Sequence, residues 1–255
     1  MPEQHIPRIM EVIDNIVSPD DRRRKYSDKQ ILKILVLLQI FSISYRSSRI
    51  FLTNHEEYLR TIGLKEIPSF QTLSRRARMI DLHAINRKIT FLHSMESIAA
   101  VDSLLVMDWL TTKGNIHDSR VSRDMIDSVR NFSHILADSA YDTSDTYDYV
   151  FENTHALPVI DTNKRRGIVP ERLSVNRKIG IDLRKEYASL YSLRWEIERT
   201  FSILEEIMRA ENIWYNRNRS YDTAMGLKAI AYNLMVISNI EAGEKPREIM
   251  KIVSC

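Results

Sequence analysis

The sequence predicts an α/β protein in two parts, an all-helical region followed by a mixed domain. Three observations carry this. Only six glycines occur in 255 residues, which favours helices over tight turns. Residues 1–95 place apolar side chains at helical spacing. Beyond residue 98, short apolar runs alternate with helical stretches, the order of a parallel α/β sheet.

The elements follow in order. SDKQILKILVLLQIFSI opens with Ser27 as an N-cap, and its apolar positions follow at helical spacing. RSSRIFLTNHEEYLRTIGL predicts a second helix ending at Gly63. Pro68 then ends one element, Ser69 caps the next, and a short helix turns Gln71, Ser74, Arg75 and Arg78 outward. That pattern suits the reading helix of a helix-turn-helix and equally an ordinary connector. IAAVDSLLVMDWLTT is apolar and strand-like, with Asp102 inside it. HILA is a strand ending at Asp138, and HALPVIDTN another ending at Asp161. DSRVSRDMIDSVR and TSDTYDYVFENT are helical stretches before and after Asp138. Residues 162–185 are basic and lack apolar periodicity, so they read as an exposed loop. YSLRWEIERTFSILEE is an amphipathic helix with Leu193, Ile197, Phe201, Leu204 and Met208 as its apolar stripe. SYDTAMGLKAIAYNLMVISNI is the last helix, and residues 241–255 read as a loose tail.

Bulk properties exclude several classes. The single cysteine, Cys255, supports neither a disulfide framework nor a cysteine metal site. No basic-then-apolar leader is visible, and ILKILVLLQIFSI is too short for a membrane span, so a cytoplasmic protein with no membrane partner is expected. Net charge is only +3, yet basic residues cluster at Arg22–Lys25, Arg75–Arg78, Lys164–Arg166, Arg177–Lys178 and around Arg217 and Arg219. Each cluster is a phosphate contact or a solvated surface.

A carboxylate inside an apolar strand is costly unless paired, hydrogen-bonded or metal-bound. Asp102 sits in such a place, and Asp138 lies at the carboxyl end of the next strand, where α/β sheets bind ligands. Neighbouring strands lie about 5 Å apart, close enough for two carboxylates to share metal ions. Glu198, on the amphipathic helix, is the available third donor, although the helix taken alone reads first as a solvated face on which Arg194 and Glu198, one turn apart, form a salt bridge. All-oxygen clusters of this kind hold Mg²⁺ or Mn²⁺.

VDS, LADSAYDT and YSLRWEIERTFSIL together resemble the DDE transposases of prokaryotic insertion sequences, in the group marked by a Tyr-x2-Arg-x3-Glu-x6-Lys motif. TKGNIHDS, YSDKQILKILVLLQIFSISYRSSRIFL and IPSFQTLSRRAR extend the resemblance over most of the chain. It implies an RNase H-like catalytic domain over residues 96–240, preceded by a helical DNA-binding region over residues 1–95. It further implies a catalytic and metal-binding triad of Asp102, Asp138 and Glu198 holding two Mg²⁺ (or Mn²⁺) ions. DNA contacts would come from Tyr191 and Arg194, from Arg75, Arg76 and Arg78, and from Lys164, Arg165 and Arg166. The partner would be double-stranded DNA, both element ends and target, with a homodimer serving to handle two ends.

Two departures from the family stand out. Glu205 occupies the position of the motif's lysine, reversing a charge beside a polyanion. About ten residues separate Asp102 from TKGN, whereas a three-stranded meander needs roughly two dozen. The expectation is an internally deleted copy, truncated between residues 103 and 112, with VDSLLVMDWLTT as a fused strand in a reduced sheet. Such a copy is a working transposase, a catalytically dead DNA-binding remnant that occupies element ends, or a remnant without function.

Overall fold

The computed structural model describes residues 2–18, 24–96, 104–112, 120–129, 132–163, 173–210 and 218–253. Along the chain run α1 (Pro2–Ile16), α2 (Asp28–Ile40), α3 (Ser48–Asn54), α4 (Glu56–Ile62), α5 (Phe70–Ala77), α6 (Leu82–Glu96) and α7 (Ser122–Ser128). Then come β1 (His134–Ala137), α8 (Ser144–Asn153), β2 (Leu157–Ile160), α9 (Val175–Glu186), α10 (Ala188–Tyr191), α11 (Arg194–Ser202), α12 (Asn218–Glu241) and α13 (Met250–Val253). The chain divides into two compact units, one of residues Met1–Thr111 with Thr200–Cys255, the other of Thr112–Arg199. The first unit joins the N-terminal helices to the C-terminal ones.

In the helical unit, α2 starts as the sequence predicts. Ser27 accepts from the Gln30 amide while Gln30 reaches back to the Ser27 amide, a full capping box. Ile31 to Leu38 are all buried, so α2 is covered on every side. Its one buried cation, Lys33, reaches Asp14 at 2.6 Å. Helices α1, α5 and α12 pack around α2, and the middle of α12 from Leu227 to Ile237 is almost wholly buried. The single helix predicted over residues 46–64 is two, broken at His55 (φ −127°, ψ 67°), and Gly63 closes the second in the left-handed conformation.

Three expectations are corrected. Residues 104–112 form no strand. Leu104 has φ +54°, which breaks an extended run. Asn86 on α6 donates to the Val106 and Met107 carbonyls, both at 2.9 Å. Asn233 on α12 accepts from the Val106 amide at 2.8 Å and donates to its carbonyl at 2.8 Å. Two buried asparagines therefore supply the bonds that a neighbouring strand would give. The C-terminal segment is not loose, because Ile249 and Ile252 are fully buried against the helical core. The apolar stripe of the amphipathic helix is buried only at its end. Leu204 and Met208 are covered, whereas Leu193, Ile197 and Phe201 are exposed.

In the second unit, β1 and β2 form a parallel pair with His134 opposite Leu157 and Ala137 opposite Ile160. Helix α8 connects them, as the sequence predicts for a β–α–β unit. Among the described residues these two strands are the whole sheet, which is consistent with an α/β domain of small sheet. The basic stretch read as a loop contains α9, capped by Ser174 and packed on β2 and α8. Its only fully buried position is Gly180, lying against the Tyr147 ring, so no apolar stripe marks it in the sequence.

Candidate active site

Parallel strands end together, so β1 and β2 deliver Asp138 and Asp161 side by side at their carboxyl ends. The Asp161 amide donates to the Ala137 carbonyl at 3.1 Å. Asp138 is exposed, and its Oδ1 accepts from the Ala140 amide at 2.9 Å, fixing one carboxylate oxygen. The Tyr191 hydroxyl donates to the Ala137 carbonyl at 3.3 Å, which ties α10 to the strand end beside Asp138. Burial, with Asp161 and more weakly Asp138 nearby, pushes the Tyr191 hydroxyl up, while Arg194 and Arg184 partly offset this. It therefore stays a neutral donor at physiological pH.

Two arginines flank the Tyr191 ring. Arg184 lies 3.6 Å from the ring centroid and 3.6 Å from the Asp161 carboxylate. Arg194 lies 6.0 Å from the same centroid and donates to Glu198 at 2.7 Å. A chain of contacts therefore runs from the end of β1 through Tyr191 and Arg194 to Glu198. Sequence reasoning missed Arg184 and Asp161 as members of this cluster. Arg184 fell in a stretch without periodicity, and Asp161 drew notice only as a strand end.

The remaining sequence-predicted residues separate. Asp102, Lys164, Arg165 and Arg166 lie outside the described residues. Arg75 and Arg78 are exposed at α5. Arg76 is a correction: it is 8 % exposed, its guanidinium pairs with Asp28 and it donates to the Tyr26 carbonyl at 3.1 Å. That arginine is committed to joining α5 to the start of α2. Asp142 is buried and accepts two bonds from Arg177 at 2.9 and 2.7 Å. That pairing holds the Arg177 guanidinium above its ordinary range and removes Arg177 from the phosphate-contact candidates. Glu205 is exposed in a π-helical turn over Ile203–Ile207.

A family model described as the transposase DDE domain matches residues 83–234, more than half of the chain. The chain belongs to this family. No curated protein and no solved structure matches it. The transposase domain so defined begins in α6 and ends in α12, so it draws on both compact units. No helix among the described residues is long and apolar enough to cross a membrane.

The donor chemistry of the cluster suits a hard divalent cation. Asp138 and Glu198 each have one carboxylate oxygen engaged and the other without a hydrogen bond among the described residues. Oxygen donors of this type are those that Mg²⁺ and Mn²⁺ take. Among the described residues no three such groups come together as a metal cluster.

Proposed function

We propose that the chain is the DNA transposase of an insertion sequence, with Asp102, Asp138 and Glu198 as its catalytic carboxylates. The observation that supports this best is Asp138 at the end of β1, beside the Tyr191 anchor and linked through Arg194 to Glu198. Bound Mg²⁺ or Mn²⁺ would supply Lewis acidity, lowering the pKa of an attacking water and stabilising the charge that develops on the phosphodiester. Asp138 and Glu198 would offer their free oxygens to two such ions, with Asp102 as the third donor. Arg194 holds Glu198 by one oxygen and leaves its other oxygen available. The phenol of Tyr191 ties α10, which precedes the helix carrying Arg194 and Glu198, to the end of β1. Water attack breaks the bond to the 3′ oxygen at the element end, and the freed 3′-hydroxyl then attacks target DNA. A homodimer would handle the two ends.

A second reading is a DNA-binding remnant that occupies element ends without cutting them. One observation favours it. Residues 104–112, which follow Asp102, carry no strand and are held by α6 and α12. The test is Mn²⁺-dependent nicking of a plasmid carrying the DNA that flanks the gene. Nicking by the wild type and none by Asp138→Asn supports the transposase. A folded protein that retards the DNA without nicking it sinks that reading and leaves the remnant.

A further inference from the structure

One cleft in the helical unit is lined by cations from four separate places in the chain. Arg46 follows α2, Arg78 ends α5, Arg209 follows the π-helical turn, and Lys228 lies on α12. The cleft encloses about 720 Å³. Its floor includes the buried Leu38 and Met208, while Arg46, Arg78 and Arg209 are exposed at its rim. Among the described residues no carboxylate lines it, although acids and bases nearly balance over the chain at 34 to 37.

Elsewhere the described cations are widely paired, as Arg8 is with Glu241, Lys33 with Asp14, and Arg177 with Asp142. Among the described residues none of the four cleft cations makes an ion pair. Arg46 lies over the Phe70 ring at 5.8 Å, and Arg78 donates to the Ser74 carbonyl at 3.1 Å. Lys228 is 7 % exposed and its ammonium donates to the Met208 carbonyl. Arg209 has φ +54°, a region arginine rarely adopts. Non-glycine residues in that region, and π-turns such as the one preceding it, concentrate at functional sites.

We propose that this cleft is a phosphate-binding site for the backbone of double-stranded DNA, built by Arg46, Arg78, Arg209 and Lys228. The proposal takes the source of the phosphate from the transposase reading but does not depend on catalysis. An anion in the cleft supplies the counter-charge that the fold withholds from a buried ammonium and three arginines. Ser74 and Gln71, on the same wall, add neutral donors for phosphate oxygens. Burial, with Arg209 beside it, lowers the Lys228 pKa to about 8. Tyr45, Arg46, Arg78 and Arg209 are the titratable and charged groups facing it across the cleft. A bound phosphate favours the ammonium, so binding takes up protons near pH 8 and weakens as pH rises further.

The test uses the full chain with a fluorescein-labelled duplex of arbitrary sequence, in EDTA, read by anisotropy across a salt series. EDTA stops cutting, so an inactive triad leaves the result untouched. Arg46→Gln and Arg209→Gln are each expected to weaken binding several-fold and flatten the plot of log K against log salt by roughly 0.9. Arg87→Gln, an exposed cation on α6, is expected to leave the slope unchanged. Lys228→Met is expected to abolish proton uptake on binding at pH 8. Unchanged slopes in both arginine variants, or proton uptake that survives Lys228→Met, would overturn the proposal. So would displacement of the duplex by polyglutamate of equal charge as readily as by unlabelled duplex, which would assign the cleft to an acidic protein segment.

Discussion

Replacing Lys228 by methionine isolates the energy of a buried cation at nearly constant volume. Lys228 is 7 % exposed, and burial lowers its pKa from 10.5 to about 8. At ~1.4 kcal/mol per pH unit, keeping this side chain charged at neutral pH costs the fold about 3 kcal/mol. The substitution also orphans the Met208 carbonyl that the ammonium bonds, which returns roughly 1–2 kcal/mol. The net expectation at pH 7 is a gain of about 1–2 kcal/mol, seen as a higher urea midpoint. The pH dependence is the sharper measure. Below pH 8 the lysine is charged in both folded and unfolded chains, and the burial cost is present in full. Between pH 8 and pH 10.5 the unfolded chain binds more protons, so wild-type stability rises with pH. Relative to Lys228→Met, the wild type should gain roughly 2 kcal/mol between pH 7 and pH 10. Urea titrations of both proteins at four pH values give this difference directly, since other titrating groups cancel. Parallel curves would refute the buried, uncompensated ammonium, and with it the main energetic reason for an anion in the cleft.

Other substitutions bear on the rest of the fold. Asp142→Asn breaks a pair whose acid is fully buried and leaves Arg177 without its counter-charge, so urea denaturation should show a loss of ~2–4 kcal/mol. Gly180→Ala would put a Cβ 2.0 Å from the Tyr147 ring, and the overpacking should cost ~1–3 kcal/mol. Tyr147→Leu should recover part of that loss in the double variant, and its failure to do so would remove the ring as the cause. Ile252→Ala, in the segment read from sequence as loose, should lower the urea midpoint by an amount equivalent to ~2–4 kcal/mol. A midpoint within error of wild type would restore the loose tail.

What was legible in the sequence is what local chemistry decides. Ser27 with Gln30, Ser69 before α5, and Gly63 after α4 each set a helix boundary through atoms a few residues apart. The two strands were legible because HILA and LPVI are short apolar runs ending in aspartate. Residues 104–112 were not, since their apolar composition suits a strand. Their backbone bonds go to Asn86 and Asn233, two polar side chains on helices 20 and 127 residues from Val106. Helix α9 escaped notice because it buries only a glycine, and the C-terminal segment because two isoleucines three residues apart are too few to show a period.

Charged residues divide by a different criterion, the partner each one finds. Arg75, Arg76 and Arg78 read alike in sequence, yet Arg76 turns inward to Asp28 while its neighbours face solvent. Arg177 reads as a surface cation and is the counter-charge of a buried aspartate. Arg46, Arg209 and Lys228 stand in separate segments, and nothing in their spacing groups them. They come together because α2, the π-helical turn and α12 meet around one cleft. The same holds for Arg184 and Asp161, which meet at Tyr191 only once α9 lies on β2. Motif spacing therefore singled out Asp138 and Glu198, which the structure describes at the end of β1 and on α11. Grouping the cations required the fold, because a lone arginine becomes a phosphate ligand or a structural tie according to whether a carboxylate reaches it first.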